Sequence, residues 1–93
     1  MTYKLEFDRR ALKEWKALGH PVREQFKKKL AERLENPHVP ASRLSGRTHR
    51  YKIKLRSSGY RLVYEVFDDR IVLLVIAVGR RDGSEIYSNA DKR

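Results

Sequence analysis

The first residues of the chain alternate between apolar and polar side chains. Tyr3, Leu5 and Phe7 are separated by Lys4 and Glu6, and a period of two residues is typical of a strand with one buried face. Residues 2–7 are therefore predicted to form the first strand.

A helical period replaces this alternation after residue 7. Asp8 has the short acidic side chain typical of a helix N-cap, and Gly19 can end the helix in a left-handed conformation. The apolar stripe of this predicted first helix consists of Ala11, Leu12, Trp15 and Leu18. This stripe is expected to face the core.

A second helix is predicted directly after the first. His20 and Pro21 suit its N-cap and first-turn positions, and Pro37 follows its end. Its apolar residues are Val22, Phe26, Leu30 and Leu34, which recur near the helical period. We expect the two helices to form a helical hairpin. Its more polar side carries Arg23, Lys27, Lys28 and Lys29.

The second half of the chain is predicted to be rich in strands. Residues 36–47 contain two prolines, two serines and a glycine, and are expected to form a loop. Three segments then follow, joined by short polar connectors typical of hairpins. These predicted strands cover residues 50–56, 60–67 and 70–78.

The last of these strands is continuously apolar from Ile71 to Val78. Such a run is expected of a central strand covered on both faces, and Gly79 is expected to break it. Residues 80–93 are predicted to hold a short C-terminal helix. The whole pattern predicts a single α+β domain over residues 1–93, with the helical hairpin packed on one face of an antiparallel sheet.

The charge of the chain favours a polyanionic partner. Lys and Arg number 22 against 12 Asp and Glu, which gives a formal net charge of +10. Nucleic acid is the leading class of partner, because phosphates that bind cationic side chains release their counterions. An acidic protein would satisfy the same charge. A membrane surface is a weaker candidate, since the basic helix needs its apolar face for the core.

Other features of the sequence argue against disulfide-linked, metal-binding, membrane-spanning and secreted proteins. The chain has no cysteine, so disulfides and thiolate metal ligands are ruled out. Its three histidines, His20, His38 and His49, are scattered without acidic partners at metal-ligand spacing. The longest apolar run is far shorter than the roughly 20 residues of a membrane-spanning helix, and the charged first ten residues exclude a signal peptide. We expect a cytoplasmic protein with no metal and no cofactor.

The strand at residues 50–56 has one basic face. Alternation sends Tyr51, Ile53 and Leu55 to one side and leaves the other side to cations about 6.6 Å apart. Those cations are Arg50, Lys52, Lys54 and Arg56. Such a row suits a phosphodiester chain lying along the strand, and the alternative interpretation is an ordinary solvated sheet face.

The next strand is predicted to add Arg61 to this basic face. A connector of two or four residues places Arg61 beside Lys52 and Lys54, whereas three residues would bury its charge in the apolar layer. The even register is therefore favoured. It is also expected to set Glu65 opposite Lys52, in a cross-strand ion pair.

Two later residues are candidates for the same face. The chain leaves the central strand near Gly79 and can fold back over the end of the sheet, which would bring Arg81 and Tyr87 close to the basic row. The alternative is that Tyr87 packs against the core and Arg81 is solvated at the strand end.

These residues carry a resemblance to a known family. The segment YKIKLRSSGYRLVY at residues 51–64, with the later Arg81, Ser84 and Tyr87, closely resembles the RelE family of ribosome-dependent messenger-RNA endonucleases, the toxins of toxin–antitoxin pairs. The resemblance extends over almost the whole chain, including residues 10–15 and 22–25.

The resemblance implies a set of active-site residues and their roles. Lys54 would protonate the departing 5′ oxygen, and Tyr87 would help deprotonate the attacking 2′-hydroxyl. Lys52, Arg61 and Arg81 would stabilise the charged phosphorane. The ordinary pKa values of Tyr and Lys, both about 10, suit neither role at neutral pH, but crowded cations lower both pKa values. Further RNA contacts are predicted at Arg50, Arg56, Arg80, Lys27 and Lys28.

The resemblance also implies partners and leaves alternatives. The expected activity is cleavage of messenger RNA in the A site of the 70S ribosome, and an acidic RelB-like antitoxin would neutralise it. Toxin and antitoxin would together repress their own operon, with operator DNA reached only through the antitoxin. One alternative is a gyrase-inhibiting toxin like those of the ParE branch. The other is a non-catalytic nucleic-acid-binding module.

Overall fold

The structure is a computed structural model that describes residues 2–44, 49–80 and 90. The described chain contains two α-helices, four strands and a short 3-10 helix. In chain order they are β1 (Lys4–Phe7), α1 (Arg9–Lys16), α2 (His20–Glu35), the 3-10 helix (Pro40–Ser42), β2 (Arg50–Leu55), β3 (Tyr60–Phe67) and β4 (Val72–Arg80). The predicted α+β class is confirmed, and the predicted C-terminal helix lies outside the described residues, apart from Ala90.

The four strands form one sheet in the order β1-β4-β3-β2. The pairs β2–β3 and β3–β4 are antiparallel, but β1 runs parallel to β4. The sheet is therefore mixed, and the prediction of a purely antiparallel sheet was wrong. Alternation in residues 3–7 indicates one buried face but not the direction of the neighbouring strand. The central position predicted for β4 is confirmed.

Both helices contribute to a core on one face of the sheet. Ala11, Trp15 and Leu18 meet Phe26 and Leu30 of α2 in one buried cluster. The sheet adds Tyr51, Ile53, Leu55, Leu62, Tyr64, Val66, Leu73, Val75 and Val78. Leu12 was expected in this stripe but is exposed, because it lies about 100° around the helix from Ala11.

The predicted start of α1 is confirmed, but its predicted end at Gly19 and the predicted N-cap of α2 at His20 were wrong. The carboxylate of Asp8 accepts a hydrogen bond from the Arg10 N–H at 3.0 Å, as an N-cap does. Gly19 has an extended backbone, with φ at −64°, and serves as the N-cap of α2. Its carbonyl accepts the first hydrogen bond of that helix, from the Arg23 N–H at 3.0 Å.

The ends of β4 also differ from the prediction. Residues 68–71 form a turn in which Ile71 has a positive φ of 54°, so the strand begins at Val72. At its other end β4 continues through Gly79, which pairs with Arg61, to Arg80, which pairs with Tyr60. The Val78 N–H, beyond the end of β1, donates to the Glu14 carboxylate at 3.0 Å. Pairing with β3 thus outweighs the weak strand preference of glycine.

Candidate functional site

The register of β2 and β3 builds the basic face. Residues 56–59 connect the two strands, and Gly59 turns the chain with a φ of +76° that favours glycine. Leu55 then pairs with Tyr60, and Lys54 lies directly opposite Arg61. The predicted even register is confirmed, with four residues in the connector, so Arg61 shares a sheet face with Lys52 and Lys54.

Crowding on this face changes the acidity of one lysine. Positive charge on Lys52, and next on Arg61, lowers the pKa of Lys54 below its ordinary value. Partial desolvation and, as the smallest cause, the positive charge of Arg56 lower this pKa further. Each of these neighbours disfavours a protonated ammonium group. Lys54 is therefore a better proton donor than an isolated lysine.

The carboxylate on this face pairs with a different cation from the one expected. Glu65 is opposite Arg50, and its Oε1 lies 2.7 Å from the Arg50 Nε. The prediction that Glu65 pairs with Lys52 was wrong, because a register that joins Lys54 to Arg61 places Glu65 four residues farther along, opposite residue 50. Arg50 also donates from Nη1 to the Ala90 carbonyl at 2.9 Å. Its guanidinium therefore links the sheet to Ala90.

The other predicted RNA-binding residues lie at different places. Arg56 is exposed just after β2, and Arg80 is exposed at the end of β4 with its guanidinium 5.7 Å from the Tyr60 ring centre. On α2, Lys27 forms an ion pair with Glu24 at 3.0 Å, and Lys28 is exposed. Arg81 and Tyr87 lie outside the described residues, so their proximity to the basic face stays a prediction.

Two clefts open beside the basic strand. The larger, of about 560 Å³, lies between α2 and β2. The smaller, of about 330 Å³, lies over the β2–β3 turn and reaches Arg61. Lys54 and Arg56 line both clefts, while Lys29 of α2 and Lys52 line only the larger. The basic face is therefore bordered by a cleft on each of two sides. Of the lysines on α2, Lys29 lines the larger cleft, whereas Lys27 and Lys28 line neither.

A half-buried arginine under the site was missed by the sequence analysis. Arg33 donates to the Tyr64 hydroxyl at 2.9 Å, to the Ser42 Oγ at 3.1 Å and to the Lys52 carbonyl at 3.4 Å. The Tyr64 hydroxyl in turn donates to the Pro37 carbonyl at 2.7 Å. The sequence feature that could have indicated this role is the position of Arg33, three residues after Leu30 and on the apolar side of α2.

A second network holds the loop after α2. The His38 ring nitrogens lie 2.8 Å from the Tyr51 hydroxyl and 2.8 Å from the Asp68 carboxylate, which also accepts from the Tyr3 hydroxyl at 2.6 Å. Hydrogen bonds from Tyr3 and then His38 lower the pKa of Asp68. The histidine thus has an acidic partner 30 residues away in sequence, too far for spacing rules to detect.

The described residues hold neither a candidate metal site nor a membrane-spanning helix. In residues 2–44, 49–80 and 90, no three His, Cys, Asp or Glu side chains form a group that could hold a metal ion. None of the described helices has the length and apolar character needed to cross a membrane.

Comparison with known proteins defines the class of this chain. Residues 5–84 match the family model described as the ParE toxin of the type II toxin–antitoxin system parDE. The fold and its basic face therefore belong to a toxin class of the type II toxin–antitoxin systems.

Similar proteins within this class narrow the assignment to one family. The mRNA interferase toxin RelE of Escherichia coli (strain K12) is 61% identical over 93 residues, which cover 100% of this chain and 98% of that protein. A free arginine-substituted variant of E. coli RelE superposes with a TM-score of 0.93 at 60% identity, covering 100% of this chain and 98% of that one. RelE in the intact E. coli RelBE toxin–antitoxin complex superposes with a TM-score of 0.84 at 59% identity. That match covers 87% of this chain and 99% of the RelE chain. The chain belongs to the RelE family of the RelE/ParE toxin superfamily.

Proposed function

We propose that this chain is the toxin of a type II toxin–antitoxin pair and an endoribonuclease that cuts messenger RNA in the ribosomal A site. The observation that carries the proposal is the position of Lys54, opposite Arg61 and beside Lys52, with its pKa lowered by both. The full-length likeness to an mRNA interferase from E. coli supports the same activity.

The proposed reaction is a transesterification that needs no metal. The 2′-hydroxyl gives its proton to the phenolate form of Tyr87, which nearby cations favour, and attacks the adjacent phosphorus. The bond from phosphorus to the 5′ oxygen breaks, and Lys54 gives its proton to that oxygen. Lys52 and Arg61, with Arg81, stabilise the negative charge on the phosphorane, because positive groups close to the reacting phosphate act most strongly where charge develops.

The proposed substrate path follows the other cations. Arg56 and Arg80, at the ends of β2 and β4, bind the RNA strand beyond the cut, and Lys27 and Lys28 on α2 bind ribosomal or messenger RNA. Arg50 contributes mainly through Glu65 and Ala90, because its side chain is only 15% exposed. The ribosome supplies orientation of the substrate, which reduces the barrier of a reaction that has weak acid and base groups.

The proposed protein partner is an acidic antitoxin of the RelB type. Solved RelBE complexes of the relatives support this pairing, and the net charge of +10 favours an acidic partner. The pair would repress its own operon, and the toxin would reach operator DNA only through the antitoxin. All of these steps take place in the cytoplasm.

Translation-coupled cleavage of messenger RNA in vitro tests the activity. Lys54→Ala should lower the cleavage rate by roughly 10²- to 10⁴-fold, the usual contribution of a general acid. Arg81→Ala and Tyr87→Phe should abolish cleavage while ribosome binding, measured by co-sedimentation, is retained. Undiminished cutting by these variants would refute the assigned roles.

A gyrase-inhibiting toxin is the second candidate, because the matching family model bears the ParE description. It predicts that the purified chain blocks DNA supercoiling by gyrase and leaves messenger RNA intact. Cleaved transcripts with normal supercoiling would reject it.

A further inference from the structure

The larger cleft contains positive groups to which the proposed reaction assigns no chemical role. Lys29 reaches it from α2, and Arg56 reaches it from the end of β2, beside Lys52 and Lys54. Gln25, one helical turn before Lys29, adds an amide that can donate or accept a hydrogen bond. The cleft therefore extends the basic face past the edge of β2 and onto α2.

Arg33 fixes the walls of this cleft. From α2 its guanidinium reaches the Lys52 carbonyl on β2 and the Ser42 hydroxyl in the 3-10 helix. These bonds tie the helix that carries Lys29 to the strand that carries Lys52. A ligand entering here meets a site already in place, which reduces the entropic cost of binding.

The lining indicates what kind of ligand fits. Its apolar residues are Ala41 and Leu55, and Leu55 is only 6% exposed. An amphipathic helix of a protein partner binds through an apolar groove, which this cleft does not offer. Ammonium and guanidinium groups around a polar cleft instead suit phosphate, which accepts charge-assisted hydrogen bonds on several oxygens.

The geometry points to a binding site for an RNA backbone phosphate next to the one that is cut. Lys29 and Arg56 are its charged contacts and Gln25 its neutral contact. The inference rests on the proposed function, because Lys52 and Lys54, which hold the reacting phosphate in the proposed reaction, line the same cleft. Lys29 and Arg56 therefore strengthen substrate binding without taking part in the chemical step.

Binding of an RNA that cannot be cut tests this site. A fluorescent hexanucleotide with 2′-O-methyl groups lacks the attacking hydroxyl, so its affinity can be measured against salt concentration by anisotropy. Lys29→Gln should make the slope of log K against log salt shallower by about 0.7, the value for one phosphate contact on a single strand. Arg56→Gln should give a similar change. Lys4→Gln is the matched control, because Lys4 lies on β1 at the opposite edge of the sheet. Equal slopes for Lys29→Gln and Lys4→Gln would overturn the inference.

Probe length separates this site from the reacting centre. A dinucleotide with a single phosphate should bind the wild type and Lys29→Gln equally, whereas the hexanucleotide should distinguish them. Equal weakening of both probes would place Lys29 at the reacting phosphate and contradict the inference. Loss of antitoxin binding in Lys29→Gln with unchanged RNA binding would also overturn it, in favour of a protein ligand.

The two proposals fail in different ways. Wild-type protein that does not cut on ribosomes but binds the hexanucleotide through Lys29 refutes the proposed function and supports this site. Wild-type protein that cuts, with no effect of Lys29→Gln or Arg56→Gln on hexanucleotide binding, refutes the site alone.

Discussion

Lys54 on β2 lies directly opposite Arg61 on β3, and the two positive side chains share one face of the sheet. A cross-strand pair of like charges destabilises a sheet. It also makes Lys54 release its proton more readily, because Arg61 and Lys52 lower its pKa. An arrangement that is unfavourable for folding thus favours proton donation.

The pH dependence of cleavage should report this crowding. Lys54 must be protonated to donate, so the rate falls as pH rises through its pKa. Lys52→Gln removes the largest cause of the lowered pKa. The residual cleavage of this variant should be slower, and its alkaline limb should move to higher pH in a single-turnover pH–rate profile. A limb that stays in place or moves to lower pH would contradict Lys54 as the proton donor.

The ion pair between Arg50 and Glu65 should contribute to stability. Both side chains are largely buried, at 15% and 24% exposure, so loss of one charge leaves the other poorly compensated. Glu65→Gln should reduce the free energy of unfolding by about 1 to 3 kcal/mol, measured by urea denaturation. Glu6→Gln is the control, because Glu6 lies 4.0 Å from Lys4 in an exposed pair. It should change stability by less than about 0.5 kcal/mol. Equal losses of unfolding free energy for Glu65→Gln and Glu6→Gln would indicate that the Arg50–Glu65 pair stabilises the fold no more than an exposed pair does.

The hydroxyl of Tyr64 should matter more than its position in an apolar core suggests. Tyr64→Phe keeps the ring stacked on Tyr51 but removes the bonds to Arg33 and Pro37. We expect a loss of about 1 to 3 kcal/mol in the free energy of unfolding, because buried partners are left unsatisfied. In the part of the chain that the structure describes, the Tyr60 hydroxyl has no hydrogen bond. Tyr60→Phe is therefore the control, and a loss as large as that of Tyr64→Phe would argue against the network.

Stability in acid should depend on Asp68. Hydrogen bonds from Tyr3 and His38 lower its pKa in the folded state below the unfolded value of about 3.9. Its stabilising contribution is therefore fully present above that value and is lost as pH falls through the folded pKa. Asp68→Asn cannot titrate, so its stability should fall less steeply than that of the wild type below about pH 5. Urea denaturation at a series of pH values measures the difference, and parallel curves would exclude Asp68 as a contributor.

Strand alternation and the cost of burying charge predicted the basic face, but they did not predict the hydrogen-bond networks that hold it in place. The sheet face of Arg61 followed from the cost of burying its charge, which excluded an odd connector but left connectors of two and four residues open. The choice between these two, and with it the partner of Glu65, could not be predicted. The parallel direction of β1 could not be predicted, because its alternation is the same for either direction. The contacts of Arg33 and the pairing of His38 with Asp68 join residues far apart in sequence, so they depend on the assembled fold.

The concentration of positive charge around Lys54 has a consequence for how the toxin persists in a cell. Repulsion among Lys52, Lys54 and Arg61 is larger in the folded chain than in the unfolded one, where the groups separate. Any polyanion that settles on this surface relieves that repulsion and shifts the folding equilibrium toward the native state. The unbound toxin is therefore less stable to unfolding than the toxin with a polyanion bound. An acidic inhibitor that binds this surface would also stabilise the folded toxin.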